Sequence, residues 1–266
     1  MTACAALLVL CAAAQQKPPE VTLEGAAGWA GRSTPGLWAP VSVEVDNRGK
    51  KDLDGSIVVQ WAYPGASQES ARPGSLAGAV GPRHELPFSI AAGARKRASL
   101  SILAPDQEGY HAWAFFAGSD GKVHASRELI VRDVRTPRRI VAVVGTDRPD
   151  GILLPDAEVV WTSPEQLPDD RRGYAALHAL VWLDGKAVEV RSPAQLDALS
   201  SWVSCGGRLV VARANDVGIA GTPLAKLLPV RMRGVRESDG LPALAGIPGA
   251  SGPGPAGRTL VMDVDV

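Results

Sequence analysis

Cysteine is scarce in this chain of 266 residues: Cys4, Cys11 and Cys205 are all there is. Two of them fall in the first fourteen residues, and loss of that segment would leave Cys205 alone. An intrachain disulfide and a cysteine-built zinc site are then both excluded. Charge of one sign is missing as well, because 28 Lys and Arg balance 28 Asp and Glu. A neutral chain carries no overall electrostatic footprint for DNA or RNA. Beyond residue 14 no uninterrupted apolar run approaches the roughly 18 residues of a membrane-spanning helix. A phosphate-binding loop is missing too. Gly145-Thr146-Asp147-Arg148-Pro149-Asp150-Gly151 follows an apolar run but matches neither GxGxxG nor GxxxxGK[ST]. Pro149 removes a backbone donor that a phosphate cradle would use. Neither a nucleotide nor a nucleic acid is expected as a ligand, and no cofactor is implied.

What is abundant is turn material, with 29 glycines and 21 prolines, alongside 45% apolar residues. That combination fits short strands in a real core and argues against a helical bundle. The length fits two modest domains.

Met1 to Ala14 is uncharged and apolar, with Ala12 and Ala14 in an A-x-A arrangement. Residues 1–14 read as a secretory signal although no Lys or Arg stands near Met1. The expected location is extracytoplasmic: periplasmic, secreted or membrane-anchored. A lipid on Cys11 is the alternative, against which bulky Leu10 stands.

Residues 20–136 read as an antiparallel, immunoglobulin-like β-sandwich. Strands are expected at 21–24, 41–46, 57–63, 86–90, 98–103, 110–117 and 123–131, the last two joined through Asp120-Gly121. Pro64 to Pro82 reads as a long loop. With Asp120-Gly121 as a two-residue turn, Ala117 faces His124 and Ile130 faces His111. The two imidazoles then lie about 20 Å apart, too far to share a metal. Trp61 and Trp113 read as core, and Trp29 and Trp38 as the pair available for a carbohydrate platform. The clusters Arg95-Lys96-Arg97 and Arg138-Arg139 read as solvated, with a polyanion contact as the alternative.

Residues 138–230 change texture to a small α/β three-layer domain with a mainly parallel sheet. Ile140 to Val144 is a continuous apolar run, and further strands are expected at 158–161, 179–183 and 209–212. Ser192-Pro193-Ala194-Gln195 reads as a capping box opening a helix, with Leu196, Leu199 and Val203 on its apolar face, Trp202 beside it and Gly206-Gly207 ending it. A second short helix is expected from Thr222-Pro223 to Leu228. Asp147, Asp184 and Asp216 each follow a strand, where α/β folds place their ligand crevice. They are the metal candidates, for a hard cation such as Ca²⁺ or Mg²⁺. Asp169-Asp170 beside Arg171-Arg172 reads as mutual charge compensation.

The segments LPDDRRGYAALHALVWLDG (167–185) and RSPAQLDALSSWVSCGGRLVVARAND (191–216), with PVSVEVDNRG (40–49) more loosely, resemble the class I glutamine-amidotransferase-like fold. The form they resemble is the divergent one that follows a β-sandwich in envelope-associated bacterial proteins. The resemblance implies fold rather than activity. Active members place a cysteine on a sharp turn after a central strand, with a histidine and a glutamate supplied later. Here Ala212-Arg213-Ala214-Asn215-Asp216 carries neither cysteine nor serine. Cys205 stands before its strand and is expected to be a packing atom, and His178 has no spacing that ties it to Cys205. No catalytic residue is assigned.

Residues 231–266 read as a loose tail, glycine- and proline-rich at 246–257, ending on an alternating strand from Thr259. An end inside a strand makes a longer natural protein the expectation, and membrane association is expected only through such a missing carboxy-terminal segment or, as the lesser alternative, a lipid on Cys11. The leading functional expectation is a non-catalytic exported or envelope-associated binding or assembly module, whose partner is an envelope protein or surface component. One alternative is a hydrolase or amidotransferase-like enzyme completed by residues beyond this chain or by a partner. The other is a carbohydrate-binding envelope protein.

Overall fold

A computed structural model describes residues 20–63, 65–72, 79–134, 139–145, 156–183, 192–211 and 227, and the backbone of strands 231–238 and 259–265. The architecture is two-domain, an antiparallel sandwich followed by a smaller domain with a parallel sheet and one helix.

The sandwich is built from β1 (Val21–Ala27), β3 (Trp38–Asn47) and β6 (Arg95–Leu103) in one sheet. The other contains β5 (Ala79–Ile90), β4 (Leu53–Ala62), β7 (His111–Gly118) and β8 (Val123–Leu129), in that spatial order. All these pairings are antiparallel. Alternation drives the packing: Val41, Val43 and Val45 of β3 meet Ile57, Val59 and Trp61 of β4 across the core. Asn47 closes the β3–β4 turn, donating to the carbonyls of Lys51 (2.9 Å) and Ala91 (3.1 Å) and accepting from the Gly49 N–H (3.0 Å).

Three expectations shift. The 64–82 loop is partly structure, because Ala79 onward is β5 and Ala71 is buried against Val58, Ala62 and Phe115. Gln60 donates its amide to the Ala71 carbonyl, so β4 is covered on both faces. Trp113 packs at this outer cluster, stacked on Phe115, rather than in the central core. In the β7–β8 hairpin, Ala112 to Phe116 keep the expected register. Ala117 pairs with Val123, however, and His124 becomes the extra residue of a bulge. His111 lies beside Glu128, with Nδ1 and Oε1 2.6 Å apart.

Two short strands, β2 (Arg32–Ser33) and β9 (Arg132–Asp133), pair in parallel near the end of the sandwich. Between β1 and β2, Trp29 and Arg32 exchange backbone hydrogen bonds of 2.8 and 2.9 Å around Ala30-Gly31. Both turn residues have positive φ, 47° and 77°, the geometry of a type I′ hairpin turn. Alanine is strained there, and the turn holds Trp29 at the edge of the sandwich.

In the second domain, β10 (Arg139–Val144) lies between β11 (Ala157–Thr162) and β12 (Leu177–Trp182), and β13 (Leu209–Val211) follows β12 at the edge. All three pairings are parallel. Ile140 to Val144 is buried without interruption, as a strand covered on both faces requires. Helix α1 (Pro193–Ser204) covers one face.

The helix is turned relative to expectation. Its buried stripe is Gln195, Ala198, Leu199 and Trp202, while Leu196 and Val203 are half-buried. The cap is simpler than a capping box: Ser192 accepts from the Ala194 N–H at 3.2 Å, and Gln195 points inward. At the other end Gly206 has φ +94°. The Gly206 and Gly207 N–H groups bond back to the carbonyls of Val203 and Trp202, which is a Schellman stop. The tail is not wholly loose, since β14 (Arg231–Ser238) pairs antiparallel with β15 (Thr259–Asp265). The second helix expected at 222–228 lies, apart from Leu227, outside the described residues. Among the described residues no helix is long and apolar enough to cross a membrane.

Candidate functional site

The two domains meet along a seam where the 3-10 turn Arg171–Tyr174 lies against β3 and β6, and a second 3-10 turn, Pro164–Gln166, borders a small hollow with Pro40, Ser42 and Ser99. Trp29 enters the second domain's core. It is 2% exposed and donates its indole N–H to the Gly173 carbonyl at 3.1 Å. Its ring lies 5.6 Å from that of Tyr174, which stacks in turn on Trp202 at 5.4 Å. Arg32 pairs with Glu158 across the same seam at 2.7 Å. Burial, and then the Asp169 carboxylate, push the Tyr174 phenol far above its ordinary value, so it stays neutral.

A clamp stands beside this column. The Arg172 guanidinium sits 4.5 Å over the Trp38 ring, while Asp170 Oδ2 accepts from its Nε at 2.7 Å and lies 2.6 Å from its Nη2. Asp170 also caps the second turn by accepting from the Arg172 backbone N–H at 3.0 Å. His84 meets the Trp38 ring edge-on at 5.7 Å, its pKa lowered by burial and then by the Arg172 charge. Trp29 is thus buried and one face of Trp38 is covered, so the two tryptophans do not form an open carbohydrate platform.

Burial raises the pKa of Asp170, but the hydrogen bonds and charge of Arg172 outweigh it and hold the carboxyl below its usual 3.8. A group so lowered contributes stability above its unfolded pKa, and that contribution is lost as pH falls through the folded value. Asp170→Ala is therefore expected to cost about 1 kcal/mol near neutrality, at the low end for a cap because the carboxylate meets solvent. Denaturant titrations of the two proteins should converge once the pH falls well below 3.8. A constant difference down to that range would assign the loss to packing alone.

Next to the clamp lies a cleft of about 380 Å³ shared by both domains. Arg97 and Ser99 of β6 form one wall, Glu165 and Asp169 the second, and Ser192 and Gln195 at the start of α1 the third. Gln195 is 5% exposed. Its Nε2 donates to the carbonyls of Leu167 (2.8 Å) and Glu165 (3.3 Å), which fixes the orientation of the amide. Its Oε1 is buried with no hydrogen-bond partner. A buried oxygen left in this state forgoes about 1–3 kcal/mol. Arg97 donates its Nε to Ser42 at 2.6 Å, and burial raises the pKa of Asp169 against the pull of the Arg97 charge. A larger hollow of about 450 Å³ lies at the sandwich loop, lined by Ser67, Gln68, Glu69, Arg72 and Val123. None of those side chains carries a buried unsatisfied atom, and the seam cleft is the better candidate.

The other sequence candidates fare differently. Asp147, Asp184 and Asp216 all lie outside the described residues. Among the described residues no group of three or more His, Cys, Asp or Glu is arranged to hold a metal. Cys205 is exposed, not a packing atom, because the Schellman stop puts it at the helix cap. Its sulfur lies 3.2 Å from Arg171 Nη1. His178 lies between Arg139 and Arg208. Of the two acid–base pairs expected at 169–172, Asp170 takes Arg172. Asp169 instead faces Arg97, and Arg171 faces Cys205.

Residues 20–130 match a family described as a domain of unknown function (DUF8726). The match runs from the start of β1 to just past β8 and so coincides with the sandwich. No curated protein matches the chain. Several solved structures share local geometry with it. One is the alkylpurine DNA glycosylase AlkC of Pseudomonas fluorescens bound to DNA containing an abasic site analog, at 15% identity and TM-score 0.29, over 44% of this chain and 31% of that one. Another is the sporulation control protein Spo0M of Bacillus subtilis, at 12% identity and TM-score 0.30, over 44% of this chain and 51% of that one. A third is the CARDB domain of a Pyrococcus furiosus protein in complex with di-metal ions, at 15% identity and TM-score 0.26, over 43% and 92%. Similarity at this level carries no argument about what this chain does.

Proposed function

We propose that this chain is a non-catalytic, exported binding or assembly module of the cell envelope, and that its ligand enters the seam cleft. The observation that carries this reading is the partnerless Oε1 of Gln195 in a cleft to which both domains contribute. A ligand N–H or O–H would satisfy that oxygen. The Arg97 guanidinium opposite suits a carbonyl or carboxylate of the same ligand. An extended segment of an envelope protein offers both groups in alternation. Export rests on the apolar leader, Met1 to Ala14.

An amidotransferase-like reaction needs a thiol beside a base. Cys205 faces a guanidinium, and the two nitrogens of His178 face two more, so neither residue is placed to activate the other.

The test is a photo-crosslinking residue installed at Ser192 in the full chain, in cells that make it, with the same residue at exposed Arg127 as control. The expected result is an adduct of defined mass from position 192, absent from position 127 and lost when Arg97→Ala is added. The absence of a seam-specific adduct, or glutamine or ester hydrolysis by the purified chain that Cys205→Ala abolishes, would overturn the proposal.

A further inference from the structure

Three basic side chains converge at the amino-terminal edge of the parallel sheet, away from the seam residues described above. Arg139 opens β10, His178 is the second residue of β12, and Arg208 immediately precedes β13. These are three adjacent strands. The β10–β12 register runs from Ile140↔Leu177 to Val141↔Ala179, which leaves His178 as an extra residue. Bulges are uncommon in parallel pairs, and where they occur they re-aim a side chain. Here the bulged imidazole lies between two guanidinium groups. Arg208 Nη1 is 2.7 Å from His178 Nε2, and Arg139 Nη1 is 3.2 Å from both ring nitrogens. A neutral imidazole has a single acceptor nitrogen. The short contact makes Nε2 that acceptor, with Arg139 lying across the ring. Burial and then the two arginine charges hold the His178 pKa below its usual value.

Among the described residues no carboxylate pairs with this charge. Elsewhere Arg32, Arg48, Arg83, Arg95 and Arg172 each meet a carboxylate. Among the described residues neither Arg139 nor Arg208 does. Asp156, at the start of the neighbouring strand, offers Arg139 only its backbone carbonyl, at 3.0 Å from the Arg139 N. Arg97 and Arg171 form no ion pair of this kind either, but each stands singly, against Ser42 and Cys205, with the carboxylates of Asp169 and Asp170 respectively close enough to feel its charge. Two guanidiniums held against one imidazole repel each other, and a neutral ring does nothing to offset that.

We propose that this notch is a binding site for a phosphate-type oxyanion, held between the Arg139 and Arg208 guanidinium groups with His178 positioned between them. β10 and β13 are two strand spacings apart, about 9–10 Å. Side chains reaching inward from both can bracket a single tetrahedral anion. Guanidinium forks donate paired hydrogen bonds to such oxygens, and the anion's charge removes the like-charge repulsion. Because the chain as a whole is neutral, the attraction is local and does not extend to polyanions in general. The phosphate can be a free ion or the headgroup of an anionic lipid, and the two sources are separable.

The experiment uses the full chain in low-salt buffer. One arm titrates inorganic phosphate and pyrophosphate calorimetrically and follows the His178 ring proton resonances by NMR. The second measures co-flotation with vesicles of phosphatidylglycerol in phosphatidylcholine against phosphatidylcholine alone. Saturable binding in the first arm, with His178 resonances moving, assigns the free ion. Binding chiefly in the second, competed by pyrophosphate, assigns the headgroup. In either case Arg139→Gln and Arg208→Gln should each weaken binding at least tenfold, while Arg127→Gln leaves it unchanged. Arg208→Lys serves should the glutamine variant fold poorly; it keeps the charge, loses the fork and should give a smaller loss. No saturable binding in both arms, or binding that these variants do not weaken, overturns the proposal.

Discussion

Trp29→Ala is expected to lower stability by about 3–5 kcal/mol and to divide thermal unfolding into two steps. The size follows from burial, since this indole is 2% exposed and fills space in a core formed chiefly by the other domain. The splitting follows from where it lies. Trp29 is carried on a sandwich turn yet packs with Tyr174, and its N–H meets the Gly173 carbonyl, so it transmits cooperativity from one domain to the other. Trp29→Phe should keep most of the apolar contact and lose chiefly the hydrogen bond, at about 1 kcal/mol, with a single transition retained. Differential scanning calorimetry of the three proteins checks both statements. One unshifted transition in Trp29→Ala would mean that the seam does not hold the domains together.

Gly55→Ala should be nearly as damaging inside the sandwich, by about 3 kcal/mol, at the upper end for an overpacked site. Gly55 lies on β4 opposite Gly118 of β7, a glycine facing a glycine. A Cβ at this position would run into the Ala117 carbonyl oxygen, with the Gly118 Cα only 2.8 Å away. Both obstacles are backbone, so no side chain can rotate aside. β4 is the strand flanked by both β5 and β7, and any displacement passes to both neighbours. The check is a urea titration, where the midpoint should fall without a change of slope. Gly121→Ala provides a contrast: its added carbon meets nothing within 4 Å, and its loss should be limited to the strain of its φ of +77°.

The elements visible in the sequence were those specified by local pattern. Alternation located β3 and the β7–β8 hairpin, the unbroken run Ile140–Val144 located a buried parallel strand, and Ser192-Pro193 with Gly206-Gly207 bounded α1. What escaped the sequence depends on distant partners. Gln195 sits at the right spacing for a capping box, but two carbonyls 28 and 30 residues earlier claim its amide and turn the helix about a position. Trp29 looks like a loop aromatic until residues 173, 174 and 202 are placed around it. The seam cleft has no sequence motif, because its walls come from β6, a 3-10 turn and the start of α1. His178 is similar: nothing in LHALVW marks the bulge that sets it between two arginines. The chain's one useful hint was the basic pair Arg138-Arg139, one member of which reaches that notch.

The seam also sets a timetable for biosynthesis. Trp29 and its acceptor Gly173 are separated by 144 residues, whereas the whole sandwich is complete once β8 has been made. Gly173 lies 44 residues beyond Leu129, the end of β8, so at ordinary elongation rates of about 5–20 residues per second the finished sandwich waits roughly 2–9 s. During that interval the sandwich can close while Trp29 projects from its rim with no second core to enter. A chain crossing a membrane as it emerges would present this indole to whatever lies nearby. The unfinished protein therefore passes through a stage in which the folded sandwich carries one large apolar side chain that the native form buries, ended only when the turn at 171–174 and the residues packed on it arrive.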